Sequence, residues 1–172
     1  MSDGIGAVVC LSGGLDSCVT LAAALREHGR VAALHLTYGQ LTEARERCAF
    51  EAICDHYGIE ERLVARQPAL VDIGDSALVD PEIAVPEEES GDEIPVTYVP
   101  FRNGQILSIA AAWAEALGAP QVFLGAVEED GSGYPDCREE FFRAFEAAVD
   151  AGTKPGTSVR IVTPLLHLDK PA

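Results

Sequence analysis

Short apolar runs alternate with longer amphipathic ones along most of this chain, and that alternation constrains the fold more than any other feature. The run GAVVCLS (6–12) has no polar face, which predicts a strand buried on both sides. An amphipathic stretch over 16–28 follows and stops at Gly29, a residue suited to closing a helix. The pair then recurs, with a strand over 31–38, a helix over 42–57 ended by Gly58, and a strand over 61–66. Further on, the pattern predicts a helix over 103–117, a strand over 121–126, a helix over 139–151 and a last strand over 159–162. Strand and helix taking turns predicts an α/β fold, with a three-layer, mostly parallel sheet of five strands and helices on both faces. Ligands of such sheets bind beyond the carboxyl ends of the strands. The glycine loop after the first strand, TYGQ after the second and GAVEEDGSGYPD after the fourth all fall at that edge.

Regularity fails over 67–95, which holds three prolines before Pro95 and the acidic run EEESGDE. It reads as a surface insertion or lid on a single domain spanning 1–172. A chain of 172 residues can bury a substantial core in one domain. No apolar run approaches the roughly 20 residues of a membrane span, and MSDGIGAVVC has no basic leader region, so the expectation is a cytoplasmic protein without membrane association. Five scattered cysteines without a CxxC pair argue against a disulfide framework and supply no zinc-ligand spacing. Two lysines and ten arginines stand against 28 acidic residues, a net charge of -16. Such a surface repels phosphate backbones and argues against stable nucleic-acid binding. The acidity fits either a partner-binding face or a solvated surface suited to high salt.

One loop runs against that charge. LSGGLDSC (11–18) joins the first strand to the first helix. Gly13 and Gly14 can adopt backbone angles closed to other residues and let a ligand approach the main chain. The amides there and at the helix start form a concave donor set for phosphate, and Ser12 and Ser17 add hydroxyls. Asp16 either caps the helix or helps to hold Mg²⁺. The GxxxxGK[ST] spacing and its lysine are missing, so this is not a Walker A loop.

The stretch SGGLDS resembles the pyrophosphate loop, SGGxDS, of the ATP pyrophosphatase superfamily. That resemblance implies the adenine nucleotide alpha hydrolase-like (N-type ATP pyrophosphatase) fold. It also implies a loop that grips the β- and γ-phosphates of ATP while a substrate oxygen attacks the α-phosphorus. LTYGQ (36–40), TYVPFRNGQILSIAAAWAEALGA (97–119), GSGYPDCREEF (131–141), GTK (152–154) and VTPLLHLDK (162–170) are together similar to the 7-cyano-7-deazaguanine synthase family. The family reaction implied converts 7-carboxy-7-deazaguanine, ammonia and ATP to the nitrile through adenylated intermediates, in the queuosine and archaeosine pathway. Competing readings are another adenylating enzyme on the same fold and a non-catalytic nucleotide-binding module.

Carried onto this sequence, the resemblance makes Ser12, Asp16, Ser17 and Lys154 catalytic candidates, with Asp16 also the candidate magnesium ligand. Leu11, Ser12, Gly13, Gly14, Leu15, Asp16, Ser17, Cys18, His35, Leu36, Gln40 and Gly125 become the candidate nucleotide-binding set. Arg102, Asn103, Tyr134, Asp136 and Arg138 become the substrate-binding candidates. Arg102 can pair bidentately with a carboxylate or phosphate, and Asn103 offers both donor and acceptor to a purine-like edge. Tyr134 can stack on a heterocycle. Asp136 either accepts from a guanine-like edge or caps the helix that follows it. His35 reads more simply as a buried, hydrogen-bonded histidine. Family members continue past LDK into a helix and a zinc-binding cysteine cluster, ligands not included in a sequence ending at Ala172. The resemblance also implies a homodimer.

Overall fold

The computed structural model describes residues 4–74, 76–80, 83, 94–127 and 134–168. Five strands, β1 (Ala7–Cys10), β2 (Val31–Thr37), β3 (Arg62–Arg66), β4 (Gln121–Leu124) and β5 (Arg160–Val162), form one sheet in the order β3-β2-β1-β4-β5. Every pairing is parallel. Ala7 stands beside Val31 on one side and Gln121 on the other, and Cys10 beside Leu34 and Leu124. The helices are α1 (Leu15–His28), α2 (Glu43–Tyr57), a short α3 (Ala69–Ile73), α4 (Arg102–Leu117) and α5 (Glu139–Gly152).

The period-two geometry of a strand divides the central residues between two cores. Ala7, Val9, Leu11 and Ala33 pack under Leu21 and Ala24 of α1 and Phe50 and Cys54 of α2. Val8, Cys10, Ala32 and Leu34 face the other way, against Leu107, Ala110, Ala111 and Ala114 of α4 and Phe142 and Val149 of α5. All residues of β1 and β2 are buried, which is why AVVC and VAAL read as unbroken apolar runs, with His35 and Thr37 as buried polar residues at the end of β2. The alanines of α4 let that helix lie close to the sheet. Its end is fixed by Gly118 at φ 68°, after which the Ala119 amide donates to the Ala114 carbonyl at 2.9 Å.

The interval expected to be a surface insertion contributes to the core where it is described. Leu70 of α3 and Val79 join Leu36, Tyr38 and Val99 in a third, smaller apolar cluster over the carboxyl end of β2. The acidic run 87–93 lies outside the described residues, as do 128–133 of the loop after β4 and Asp169 and Lys170. None of the described helices is long and apolar enough to cross a membrane.

Candidate functional site

With the order β3-β2-β1-β4-β5, chain connections leave β1 in opposite directions, and the crevice lies at the carboxyl ends of the central strands. A cleft of about 320 Å³ occupies that place. Its walls are the ends of β1 and β4 (Cys10, Leu124, Gly125), the glycine loop with the start of α1, β2 and its loop (Leu36, Tyr38), and the start of α4.

The glycine loop is held by its own serines. Ser17 Oγ donates to the Gly14 carbonyl at 2.8 Å, accepts from the Gly13 amide at 3.2 Å and lies 3.2 Å from Ser12 Oγ. The Gly14 amide reaches Ser12 Oγ at 3.3 Å. Gly13 has φ 93°, and a Cβ there would fall 2.8 Å from Ala49 Cβ and 3.0 Å from the Glu46 carbonyl, so only glycine fits against α2. Gly14 occupies the cap position of α1, so no side chain caps the helix there, and Asp16 stands in its first turn. The first intrahelical bond is that of the Cys18 amide to the Gly14 carbonyl, which leaves the amides of Leu15, Asp16 and Ser17 ahead of the helical ladder. Gly125 is the close-approach residue of the opposite wall. A Cβ on it would lie 2.9 Å from Thr20 Oγ1 and 3.0 Å from the Asp16 carbonyl.

The β2 wall is made by the divergence of two strands. The Leu11 amide donates to Leu34, one step past the last register pair of β1 and β2. Leu36, two residues on, turns its peptide groups to the same side, where β1 has left the sheet. It lines the cleft there. Tyr38 and its neighbours are tied by side chains. The Tyr38 amide donates to Gln40 Oε1 at 2.9 Å, and Gln40 Nε2 donates to Glu46 Oε2 at 2.9 Å. Arg102 Nη1 donates to Tyr38 Oη at 3.4 Å, joining the β2 wall to α4.

Ten of the predicted site residues line the cleft together: Leu11, Ser12, Gly14, Leu15, Asp16, Ser17, Leu36, Arg102, Asn103 and Gly125. Gly13, Cys18, His35 and Gln40 lie beside or beneath it without lining it. The Lys154 expectation meets a geometric obstacle. Its amide bonds Glu115 near the end of α4, at 2.7 Å. A helix of 14 residues spans about 21 Å, so α5 carries the chain from the cleft edge of the sheet to the opposite edge. Arg138 is exposed beside Glu140, 3.9 Å away. Tyr134 is half-buried, its hydroxyl 2.6 Å from Thr97 Oγ1 and its ring 5.5 Å from that of Tyr98.

Asp136 is held against the start of α4. It is 3% exposed, and Oδ2 accepts from the Asn103 amide at 2.8 Å. The Asn103 side chain returns a bond to the Asp136 carbonyl at 3.1 Å. The carboxylate therefore stoppers α4, a helix 33 residues earlier in the sequence, and does not cap the following one. Burial raises its pKa above the usual 3.8, against the opposing pull of the Asn103 amide and the Arg102 charge. Phe101, before Arg102, has φ 55° and is half exposed. Its ring lies over Gly104, where a Cβ would fall 2.2 Å from Phe101 Cε1.

Sequence reading missed Cys10, Tyr38, Thr42, Glu46, Leu78, Ile106 and Leu124, which also line the cleft. Tyr38 was within reach of it, since it belongs to the TYGQ segment at the strand edge; Glu46 and Leu78 carry no local signal. Burial pushes the Cys10 thiol up to about 12, so it meets the cleft as a neutral thiol. Among the described residues, Asp16 and Glu46 are the two carboxylate side chains on the lining. Among the described residues, no group of three or more His, Cys, Asp or Glu side chains is placed to hold a metal ion.

Comparison with known proteins agrees with this architecture. A solved U34-tRNA thiolase NcsA from Methanococcus maripaludis superposes with a TM-score of 0.54 at 18% identity, covering 96% of this chain and 53% of that one. The sheet is that of the adenine nucleotide alpha hydrolase-like fold. The 7-cyano-7-deazaguanine synthase of Koribacter versatilis (strain Ellin345) is 53% identical over 168 residues, which are 95% of this chain and 70% of that protein. The protein of the same name from Campylobacter curvus (strain 525.92) is 51% identical over 164 residues, 95% of this chain and 74% of its own length. Residues 6–172 match the family model described as queuosine biosynthesis protein QueC, and the chain belongs to that family.

Proposed function

We propose that this chain converts 7-carboxy-7-deazaguanine and ammonia to 7-cyano-7-deazaguanine at the expense of ATP, which it cleaves to AMP and pyrophosphate. The observation that carries the reading is the open start of α1, where serine-braced glycines leave three helix amides aimed at a cleft that Arg102 also lines. In an acidic protein this is a local reversal of charge suited to a polyanion.

In this reading the loop amides and the Ser12 and Ser17 hydroxyls hold the β- and γ-phosphates, and the peptide groups of Leu36 meet the adenine edge. A carboxylate oxygen of the substrate attacks the α-phosphorus, the α–β bridging bond breaks, and pyrophosphate leaves into the loop. Ammonia attacks the acyl carbon, AMP leaves, and a proton is lost to give the amide. The amide oxygen attacks a second ATP in the same way, and loss of AMP and a proton from the adenylated amide forms the nitrile. Arg102, positively charged on the cleft wall, steadies the carboxylate and the developing phosphate charge. Asp16, with the two serine hydroxyls nearby, offers the hard oxygen set that Mg²⁺ shares with phosphates, since that ion needs only one or two carboxylates from a protein. Bound there, Mg²⁺ would screen the triphosphate charge.

Chromatography of nucleotide products is the test. AMP and pyrophosphate should accumulate only when 7-carboxy-7-deazaguanine and ammonia are both present. Accumulation of ADP and phosphate would sink the mechanism.

A further inference from the structure

We infer that His35 is a positioning residue for the pyrophosphate half of ATP, acting through the Leu11 carbonyl rather than by touching the nucleotide; this rests on the reading of the glycine loop given above. His35 is completely buried, and Nδ1 lies 3.0 Å from the Leu11 carbonyl oxygen. A carbonyl only accepts, so the proton sits on Nδ1. Nε2 faces the interior. It and Thr20 Oγ1 are the buried side-chain polar atoms left without a hydrogen-bond partner among the described residues.

An apolar ring would be the cheaper occupant of this position. Its ring also packs against Phe50, ring centroids 5.1 Å apart, a contact a phenylalanine would make equally well. What the imidazole alone supplies is the donor to Leu11, and the sheet explains why one is needed there. The β1–β2 register ends at Cys10 and Leu34, and the Leu11 amide makes the last bond across to β2. Past that point the strands separate to open the cleft, and a side chain of β2 reaches across to take the Leu11 carbonyl. Because the peptide is planar and trans, fixing that carbonyl fixes the Ser12 amide in the opposite direction. Ser12 in turn braces Gly14 and Ser17. His35 therefore sets the plane from which the loop departs.

Two substitutions separate the donor from the ring. His35→Phe keeps the packing and removes both the donor and the orphaned nitrogen. His35→Asn keeps a donor at the place of Nδ1 and gives up the ring. His35→Phe should melt close to wild type, because the unpaired Leu11 carbonyl offsets removal of the orphaned nitrogen, yet bind inorganic pyrophosphate with Mg²⁺ about tenfold more weakly and raise the KM for ATP to match, the effect of losing one buried hydrogen bond. His35→Asn should melt lower but bind pyrophosphate within about twofold of wild type, the packing loss falling on stability. Wild-type affinity in His35→Phe, or equal weakening in both variants, would assign His35 to packing alone. Nitrogen-15 spectra of the wild-type imidazole test the same point without a variant: a ring protonated only at Nε2 overturns it. If wild type binds neither pyrophosphate nor ATP, the nucleotide reading falls and takes this inference with it. Wild-type binding that His35→Phe leaves unchanged removes only the role of His35.

Discussion

Two helices begin at the same cleft and treat their first amides in opposite ways. At α1 the cap position is a glycine, the serines brace the loop from within, and the amides of Leu15, Asp16 and Ser17 precede the helical ladder. At α4 the protein supplies partners for the amides of the cap and of the first two helical residues. The Phe101 amide donates to Tyr98 Oη, that of Arg102 to the Val99 carbonyl, and that of Asn103 to the buried Asp136 carboxylate. Every helix start carries the same partial positive charge. Whether it becomes a ligand site depends on what already occupies it, and here one start is open while the other is closed by an internal anion. The open start contributes its backbone to the cleft. The closed one contributes Arg102 and Asn103 from a firmly anchored turn.

The largest effect should come from the open start. If Asp16 organises Mg²⁺ on the phosphates, Asp16→Asn should slow turnover about a hundredfold, equivalent to roughly 3 kcal/mol of transition-state stabilisation, while the fold survives. Steady-state rates at saturating Mg²⁺ decide it. A wild-type rate would reduce Asp16 to a favourable charge in the first turn, worth about 0.5 kcal/mol of stability.

At the closed start the effect falls on stability and on its pH dependence. Asp136→Ala leaves the Asn103 amide buried without its partner and should cost about 1–3 kcal/mol. Asp136→Asn still offers an acceptor oxygen and should cost much less. The sign of the pH effect follows from the raised pKa of Asp136 in the folded protein. Below the unfolded value near 3.8 its contribution is fully present, and it is lost as pH rises through the higher folded value. Wild type should therefore lose stability relative to Asp136→Asn as pH climbs above 3.8, a trend that denaturant melts of both proteins can follow. A difference moving in favour of wild type would mean that the Asn103 amide and the Arg102 charge outweigh burial.

The smallest effect concerns the link between the two regions. Tyr38→Phe removes a hydroxyl that holds Arg102 at 3.4 Å, a long bond worth about 0.5 kcal/mol. The KM for 7-carboxy-7-deazaguanine should rise about twofold with kcat nearly unchanged, as expected for a group that affects binding alone. A drop in kcat with KM unmoved would place Tyr38 closer to the reacting atoms.

How much of this was legible in the sequence divides along similar lines. The strands and main helices lie within a residue or two of their predicted bounds, because β1 and β2 are buried on both faces and the helices end at glycines such as Gly58 and Gly118. The glycine loop was legible too, being local: its donors and braces lie within six residues. The partners of α4 were not, because the Asp136 carboxylate reaches Asn103 across 33 residues and nothing near either residue announces the other. Lys154 differs again. The length of α5 was already in the pattern, and it takes the chain away from the cleft, so the geometry was available although the motif pointed elsewhere.

The left-handed turn at Phe101 makes two positions inseparable in the history of such a chain. The Phe101 ring occupies the volume that a side chain at Gly104 would need, and Phe101 itself holds a backbone conformation that favours glycine. Position 101 can lose its ring and relax while 104 stays as it is, but 104 cannot grow unless the half-exposed Phe101 ring swings aside or is lost. Between a lineage with Phe101 and Gly104 and one with glycine at 101 and a larger residue at 104, the order that changes 101 first avoids displacing the ring. The start of α4 therefore constrains the path by which its sequence can change, as well as the sequence itself.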